Sequence, residues 1–443
     1  MIARVWKTMV NDIDHTSVDV KILASSLRSE LKTVHPLSGK SCIYRVPKRL
    51  RQTNEKDYTP QIVSIGPFHH GREDLKPMEE MKRRYLKNFL QRTEVSLEDF
   101  LKLINEKEAE IRGSYAEFVD FDSHDFVKMI LVDAIFIIEV FLRFHFFKTS
   151  NAKDHIDPIY DRPWMITDVK HDMWLLENQL PFFILQDLFD LADISLSSEK
   201  NEKLTIVDLV HQFCKYYWEF FGIEEDLDEM ENPEVLHLVD FLRTFIIPPG
   251  LEEEGKPKIL TTPSVTELYQ AGVKFKPSAS SKSLFHISFN NGVLKIPLIR
   301  IRPSTEILLK NLLAFEHCHC YDSLISDYVI LISYLADTAK DVDLLVQNGI
   351  IEHRLGSSEA VSTLFHNFIK GFRLDLDGFY FSSLIENLSK YYSNPMHLWK
   401  ANLRQDYCKT PWATASVIAG VVLLILTFLQ TVSSMIPLFQ KHK

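Results

Sequence analysis

The stretch FVKMILVDAIFIIEVFLRFHFF, Phe126 to Phe147, decides the fold. Its apolar length suits a bilayer, but Lys128, Asp133, Glu139, Arg143 and His145 interrupt it, and five ionisable side chains are costly in lipid unless a bundle or pore encloses them. It therefore reads as a core helix of a globular domain. Glu139 and Arg143, four apart, share a face and can pair, while Asp133 is expected to find a hydrogen bond inside the core.

Outward from this segment the spacing of apolar residues predicts further helices. They fall at Pro77 to Arg92 and Leu97 to Arg112 before it, and at Trp174 to Leu191, Leu204 to Phe220 and Pro233 to Phe245 after it. Short extended pieces, Cys42 to Val46 and Gln61 to Ile65, each end in Pro or Gly. The run SLFHISFNNGVLKIPLIRI, Ser283 to Ile301, alternates on both sides of Asn290-Asn291-Gly292, a β-hairpin signal. Helical spacing resumes at Ser304 to Ala336, Asp341 to Gln347, Ser357 to Lys370 and Phe379 to Arg404. Residues 1–40 read as a helical leader, with helical spacing from Ile13 to Val34, and the main domain as 41–405. The expected fold is mainly α, a large helical globular domain with a small β-hairpin element.

Composition agrees. With 443 residues, 46% hydrophobic and 12% aromatic, the chain can bury a large core, and 30 Phe against 14 Gly suits helices packed through bulky side chains. A formal net charge of -10 argues against a general nucleic-acid binder. Two basic clusters, Lys48, Arg49 and Arg51, and Lys82, Arg83 and Arg84, read as solvated faces; the acidic stretch from Glu224 to Glu231, and Glu252 to Glu254, read as exposed loops. Cys42, Cys214, Cys318, Cys320 and Cys408 are odd in number and scattered, so they form no disulfide framework. The first ten residues lack the apolar region of a cleaved secretory signal.

A second apolar run lies at the C-terminal end. No charge occurs from Pro411 to Pro437, and WATASVIAGVVLLILTFLQTVSSM, Trp412 to Met435, would extend about 36 Å as a helix. The expectation is one C-terminal transmembrane helix over 411–437 with a short tail, 438–443. Trp412 suits the interface, and Lys400, Arg404, Lys409, Lys441 and Lys443 flank the span. The domain is then expected on the cytosolic side of a single-pass membrane protein, with the plasma membrane as one setting. Ala415 with Ala419, and Ser416 with Gly420, are small residues four apart that would let two spans pack as a homodimer.

Three groups hold the polar chemistry. Glu177-Asn178-Gln179 sits inside the apolar run from Leu175 to Phe183, where unpaired polar groups are expensive; the first expectation is that they tie the chain into the core. His69-His70, in the turn from Gly66 to Gly71, offers two imidazoles suited to acid/base work if one reaches a cleft, although neighbours in an extended segment point opposite ways. His317-Cys318-His319-Cys320 is rich in soft ligands, but His317 and Cys320 share a helix face that the other two do not, and no second pair stands nearby to complete a metal site. No cofactor or metal is expected. Gly-rich phosphate loops, Gly-x-Ser-x-Gly, His-Glu-x-x-His and paired Cys-x-x-Cys motifs are absent.

The same residues carry a resemblance. Ile43-Tyr44-Arg45-Val46-Pro47, Tyr58-Thr59-Pro60-Gln61 with Val63 to Gly71, Met78-Glu79 with Lys82 and Tyr85-Leu86, Leu176 to Phe183, Ala271 to Phe275, Asn311 to Glu316, Asp341-Val342, Gly349 to Ile351 and Trp412-Ala413 make the chain similar to the plant domain-of-unknown-function 247 family of membrane-anchored plant proteins. That resemblance implies the architecture and a plant origin, but no established reaction. The association of some members with self-incompatibility in grasses implies a recognition role for those members. The leading expectation is a membrane-tethered protein-interaction or recognition protein in signalling or cell recognition. The alternative is a membrane-associated enzyme using the Glu177 and His69/His70 region. Convergence of those groups in one concave pocket favours the enzyme, and burial in structural networks favours interaction.

Overall fold

The computed structural model describes residues 19–33, 39–52, 54–149, 157–194, 203–221, 234–248, 250, 262–278, 283–371, 378–396, 399 and 411–440. Residues 1–18, the acidic stretches at 224–231 and 252–254, and Cys408 lie outside them.

Helix α1 (Val20–Thr33) is followed by the short α2 (Lys48–Arg51), α3 (Lys76–Leu90) and α4 (Leu97–Gly113). Then comes α5 (Ser123–Thr149), the helix read from Phe126 to Phe147. Phe126, Ile130, Ala134, Ile135, Phe136, Ile138, Val140, Phe141 and Leu142 are all inaccessible to solvent. A helix apolar on nearly every side needs neighbours all round. Helices α3 and α4, and after them α7 (Phe182–Ala192) and α8 (Ile206–Phe221), supply them. Glu139 binds Arg143 at 2.8 Å, as their spacing suggested, and also Arg92 at 2.9 Å, while Asp133 accepts from Lys82 at 2.6 Å. Lys82 is thus not part of a solvated basic face. It is wholly buried between Asp133 and Glu79, while Arg83 and Arg84 stay exposed.

The apolar run from Trp174 to Leu191 is a turn followed by a helix instead of one helix. Helix α6 (Pro163–Met173) stops, a turn carries Glu177, Asn178 and Gln179, and α7 begins behind Pro181. Pro181 disfavours helical geometry at Leu180 and so marks where α7 begins. Farther on lie α9 (Leu238–Ile246) and α10 (Val265–Gln270). Strand β1 (Lys274–Pro277) pairs in parallel with β3 (Val293–Ile296), and β2 (Ser288–Asn290) pairs antiparallel with β3. The hairpin turn places Asn291 and Gly292 at positive φ, 51° and 71°, as a two-residue turn of this hand requires. Strand β4 (Ile299–Ile301) leaves this sheet to pair in parallel with β5 (Ile351–His353).

Helix α11 (Pro303–His319) is a second buried helix, followed by α12 (Leu324–Leu335), α13 (Ala339–Gln347), α14 (Ser358–Ile369) and α15 (Ser382–Tyr392). The single helix expected from Ser304 to Ala336 is therefore divided at 320–323. There Glu316, buried on α11, accepts from the N–H groups of Ile325 and Ser326 and so caps the start of α12.

The mainly helical architecture stands, but the C-terminal transmembrane helix is corrected. Helix α16 (Pro411–Gln440) is present, yet among the described residues no helix is long and apolar enough to cross a membrane. Ala415, Ser416, Ala419 and Gly420, expected to pack two spans together, are exposed on this helix.

The aromatic centre of the N-terminal helices gives a direct test. Phe213 is fully buried and meets Phe141 and Phe144 edge-on at 5.0 and 5.2 Å. Phe213→Ala is expected to lower unfolding free energy in denaturant titrations by about 3–5 kcal/mol, whereas Phe213→Leu, which keeps most of the volume, should lose much less.

Candidate functional site

The turn after α6 is built by its own polar side chains. Nε2 of Gln179 donates to the carbonyls of Met173 and Leu175, each at 2.8 Å, and Nδ2 of Asn178 donates to that of Asp172 at 2.9 Å. Those of Asp172 and Met173 belong to the last turn of α6, whose carbonyls run out of intrahelical partners. The same groups reach a segment more than 100 residues earlier. Oδ1 of Asn178 accepts from the N–H of Ile65 at 2.7 Å, and its Nδ2 also donates to Val63 at 3.0 Å. Asp172 accepts from the N–H groups of Gln61, Ile62 and Val63 at 2.6–3.1 Å, and Asp133 from Gly66 at 2.8 Å. Residues 61–66 make no strand ladder, so these side chains take the place of a neighbouring strand.

Gly66 shows how tightly the segment is held. It has φ +69°, and a Cβ there would stand 2.8 Å from the carbonyl of Gln179 and 2.9 Å from the Tyr115 hydroxyl, which itself donates to that carbonyl.

Glu177 faces the other way, toward residues 43–51. Its side chain is inaccessible to solvent. Oε1 accepts from the N–H of Val46 at 2.7 Å and from Nε of Arg51 at 3.2 Å, and Oε2 pairs with Nη2 of Arg51. Nη1 of Arg45 is 3.7 Å from Oε2, and Nε2 of His69 is 3.2 Å from it, close but not aligned as a hydrogen bond. Arg45 lies over the Phe68 ring at 4.5 Å and also binds Glu117 at 2.9 Å. Burial alone would raise the Glu177 carboxyl, but His69, Arg51 and the Val46 N–H outweigh it and hold the group below its ordinary value. At Asp172 burial wins, and it pushes the carboxyl up to about 6 against its backbone donors.

The structure therefore brings Glu177 and His69 together, but in a packed ionic cluster. His70 turns away to meet the Phe121 ring edge-on at 5.7 Å. Asn178 and Gln179 serve the main chain on the other side of the turn. One crevice reaches this region, between Lys56, Gln61, Asp168, His171 and Asp172, and neither Glu177 nor His69 is among its walls. A carboxylate held ionised by two guanidinium groups and a backbone donor is a charge clamp and a weak base.

His317, Cys318, His319 and Cys320 do not converge either. His319 stacks on Phe315 and shares a hydrogen bond of 3.0 Å with the Tyr44 hydroxyl, His317 contacts Arg49, and burial pushes the Cys318 thiol up to about 11. Among the described residues, only exposed Asp122, His124 and Asp125 group potential ligand atoms within metal-binding distance of one another.

The residues that sequence reasoning missed here are Arg45 and Arg51 as partners of Glu177, and Asp172 as the anchor of residues 61–63. Arg51 was read as solvated, although a carboxylate in an apolar run demands a cation from somewhere in the chain. Asn311 was missed likewise; its Oδ1 accepts from the N–H of Leu176 at 2.9 Å and its Nδ2 donates to Asp57 at 2.9 Å.

Fold and site define a mainly helical domain whose densest polar motif clamps distant backbone segments together. The chain belongs to the DUF247 family, described as plant protein of unknown function, whose model matches residues 43–426 and so includes every clamp residue. It is 28% identical to the UPF0481 protein At3g47200 of Arabidopsis thaliana, over 91% of this chain and 88% of that one. A second Arabidopsis UPF0481 protein, At3g02645, is 25% identical over 90% and 91% of the two chains. No solved structure matches.

Two variants test the clamp. Gly66→Ala is expected to cost more than the ~1–3 kcal/mol of a strained backbone alone, since its Cβ meets main chain. Gly71→Ala, at φ +81° with open space around it, should show only the backbone part in the same denaturation experiment. Glu177→Gln leaves two guanidinium groups facing a neutral amide, and stability at pH 7 should fall by about 3–5 kcal/mol. Because the folded carboxyl titrates below its unfolded value near 4.5, its contribution is full above that pH and is lost as pH falls through the folded value. The variant should therefore show a flatter stability profile below pH 4.5 than the parent.

Proposed function

We propose that the chain is a plant protein-interaction or recognition protein acting in signalling or cell recognition, with a rigid helical domain that presents surfaces to protein partners. The observation that supports this reading is the inward use of its polar motif. Glu177, Asn178 and Asp172, the groups best suited to chemistry by type, are engaged with backbone groups and, at Glu177, with arginines. Large apolar side chains are meanwhile presented outside the core, with Trp164 55% exposed and Tyr321 fully so. Aromatic side chains of this kind are enriched where proteins meet partners.

The enzyme reading rests on one contact, His69 against Glu177. Site-specific photocrosslinking from positions 164 and 321 in plant cells separates the two. The interaction reading expects a discrete protein adduct at one of these positions, and Trp164→Ala or Tyr321→Ala in the protein without the crosslinker to weaken binding of that adduct's partner at least tenfold without a change in thermal midpoint. It is overturned by a turnover of any small molecule that His69→Gln abolishes while the protein stays folded.

A further inference from the structure

Lys170 of α6 breaks the rule that the other enclosed cations keep. Arg51, Lys82, Arg143, Arg243 and Lys310 each meet a carboxylate. Lys170 is half-buried, yet among the described residues its ammonium has no carboxylate partner and no hydrogen bond. Its Nζ lies over two aromatic rings instead, 4.6 Å from the centre of Phe213 on α8 and 4.8 Å from that of Phe144 on α5. Ring faces attract a cation but do not replace the hydrogen bonds that water gives an ammonium.

Two titratable groups on the packed helices act on this amine. Cys214 on α8 is wholly buried, and burial holds its thiol protonated, so it supplies no counter-charge. Lys148, near the end of α5, is a second cation: its Nζ stands 4.6 Å from the centre of the same Phe144 ring. Burial, with the Lys148 charge added to it, pushes the Lys170 ammonium down to about 8. Near neutral pH a substantial share of Lys170 is therefore the free amine, roughly a hundredfold more than at an ordinary exposed lysine.

A desolvated free amine is a nucleophile. Half-burial against two rings favours a small apolar reagent, and the neighbouring cation favours an anionic product. We propose that Lys170 is a carbon dioxide site, its Nζ forming a carbamate that pairs with Lys148. The nitrogen lone pair attacks the carbon, an N–C bond forms, one C–O π bond opens to give the carboxylate, and the proton leaves Nζ for solvent; nothing is oxidised or reduced. Repulsion between two cations is thereby exchanged for attraction between a carboxylate and an ammonium. An aldehyde or ketone would give a neutral or positive imine, which gains nothing from Lys148. The site is independent of the clamp and of the recognition reading.

The test supplies the full chain with 13C-labelled bicarbonate near pH 8, follows the carbamate carbon by NMR, traps it as its ethyl ester with triethyloxonium and locates the ester by peptide mass spectrometry. The ester is expected on Lys170 at least tenfold above exposed Lys21. Lys170→Arg, which keeps a cation over the rings, should abolish the site's resonance. Lys148→Met should lower carbamate occupancy at least threefold, while the rate of acetylation by acetic anhydride, whose amide product is uncharged, changes less. The proposal is overturned if Lys170 carries no ester in the parent, if Lys21 carries as much, if the resonance survives Lys170→Arg, or if Lys148→Met leaves occupancy unchanged or lowers acetylation equally.

Discussion

Everything in the N-terminal half depends on where the carboxylate of Glu177 goes. An ionised side chain with no solvent contact is tolerable only when cations and N–H groups replace its water, and here Arg51, Arg45 and the main chain at Val46 do so. This requirement fixes the approach of residues 43–51 to the turn after α6. Once that approach is set, Asn178 and Asp172 on the reverse side of the turn reach residues 61–65. One short polar turn thereby orders residues 61–65, which have no regular secondary structure of their own, together with residues 43–46 and the short α2 that follows them.

The device recurs in the C-terminal half with different residues. Asp341 accepts from the N–H groups of Thr266 and Thr338, and Asp327 from that of Tyr380, while Glu316 caps α12. Lys310, buried on α11, pairs with Asp57 and Glu306. Carboxylates bind main-chain donors across elements where a larger sheet would otherwise do so, and this leaves helices as the dominant element even though the connections between them are long.

Local chemistry was well expressed in the sequence. The core helix from Phe126, its Glu139–Arg143 pair, the hairpin at Asn291-Gly292 and most helix positions follow from spacing and turn residues alone. The inward role of Glu177-Asn178-Gln179 was also legible, because three polar groups in an apolar run must find partners. What the sequence hid was the identity of those partners, which are set by tertiary approach. Arg51 beside Lys48 and Arg49, and Lys82 beside Arg83 and Arg84, look alike as clusters, yet Lys82 is buried and its neighbours are not. The run Trp174 to Leu191 misled for a related reason: helical spacing continued across Pro181, and turn chemistry overrode it. At the C-terminal end, uncharged length alone set the expectation of a spanning helix.

The wide separation along the chain of the groups that meet at the clamp bears on synthesis. Ile65 waits for Asn178, 113 residues later, Val46 for Glu177, 131 residues later, and Asp57 for Lys310, 253 residues later. At ~5–20 residues per second, Ile65 and Val46 leave the ribosome roughly 6–26 s before the turn that binds them, and Asp57 roughly 13–51 s before Lys310. The nascent protein thus carries this segment without the turn that binds it for more than a quarter of its translation, and slowing elongation before α6 would lengthen that wait.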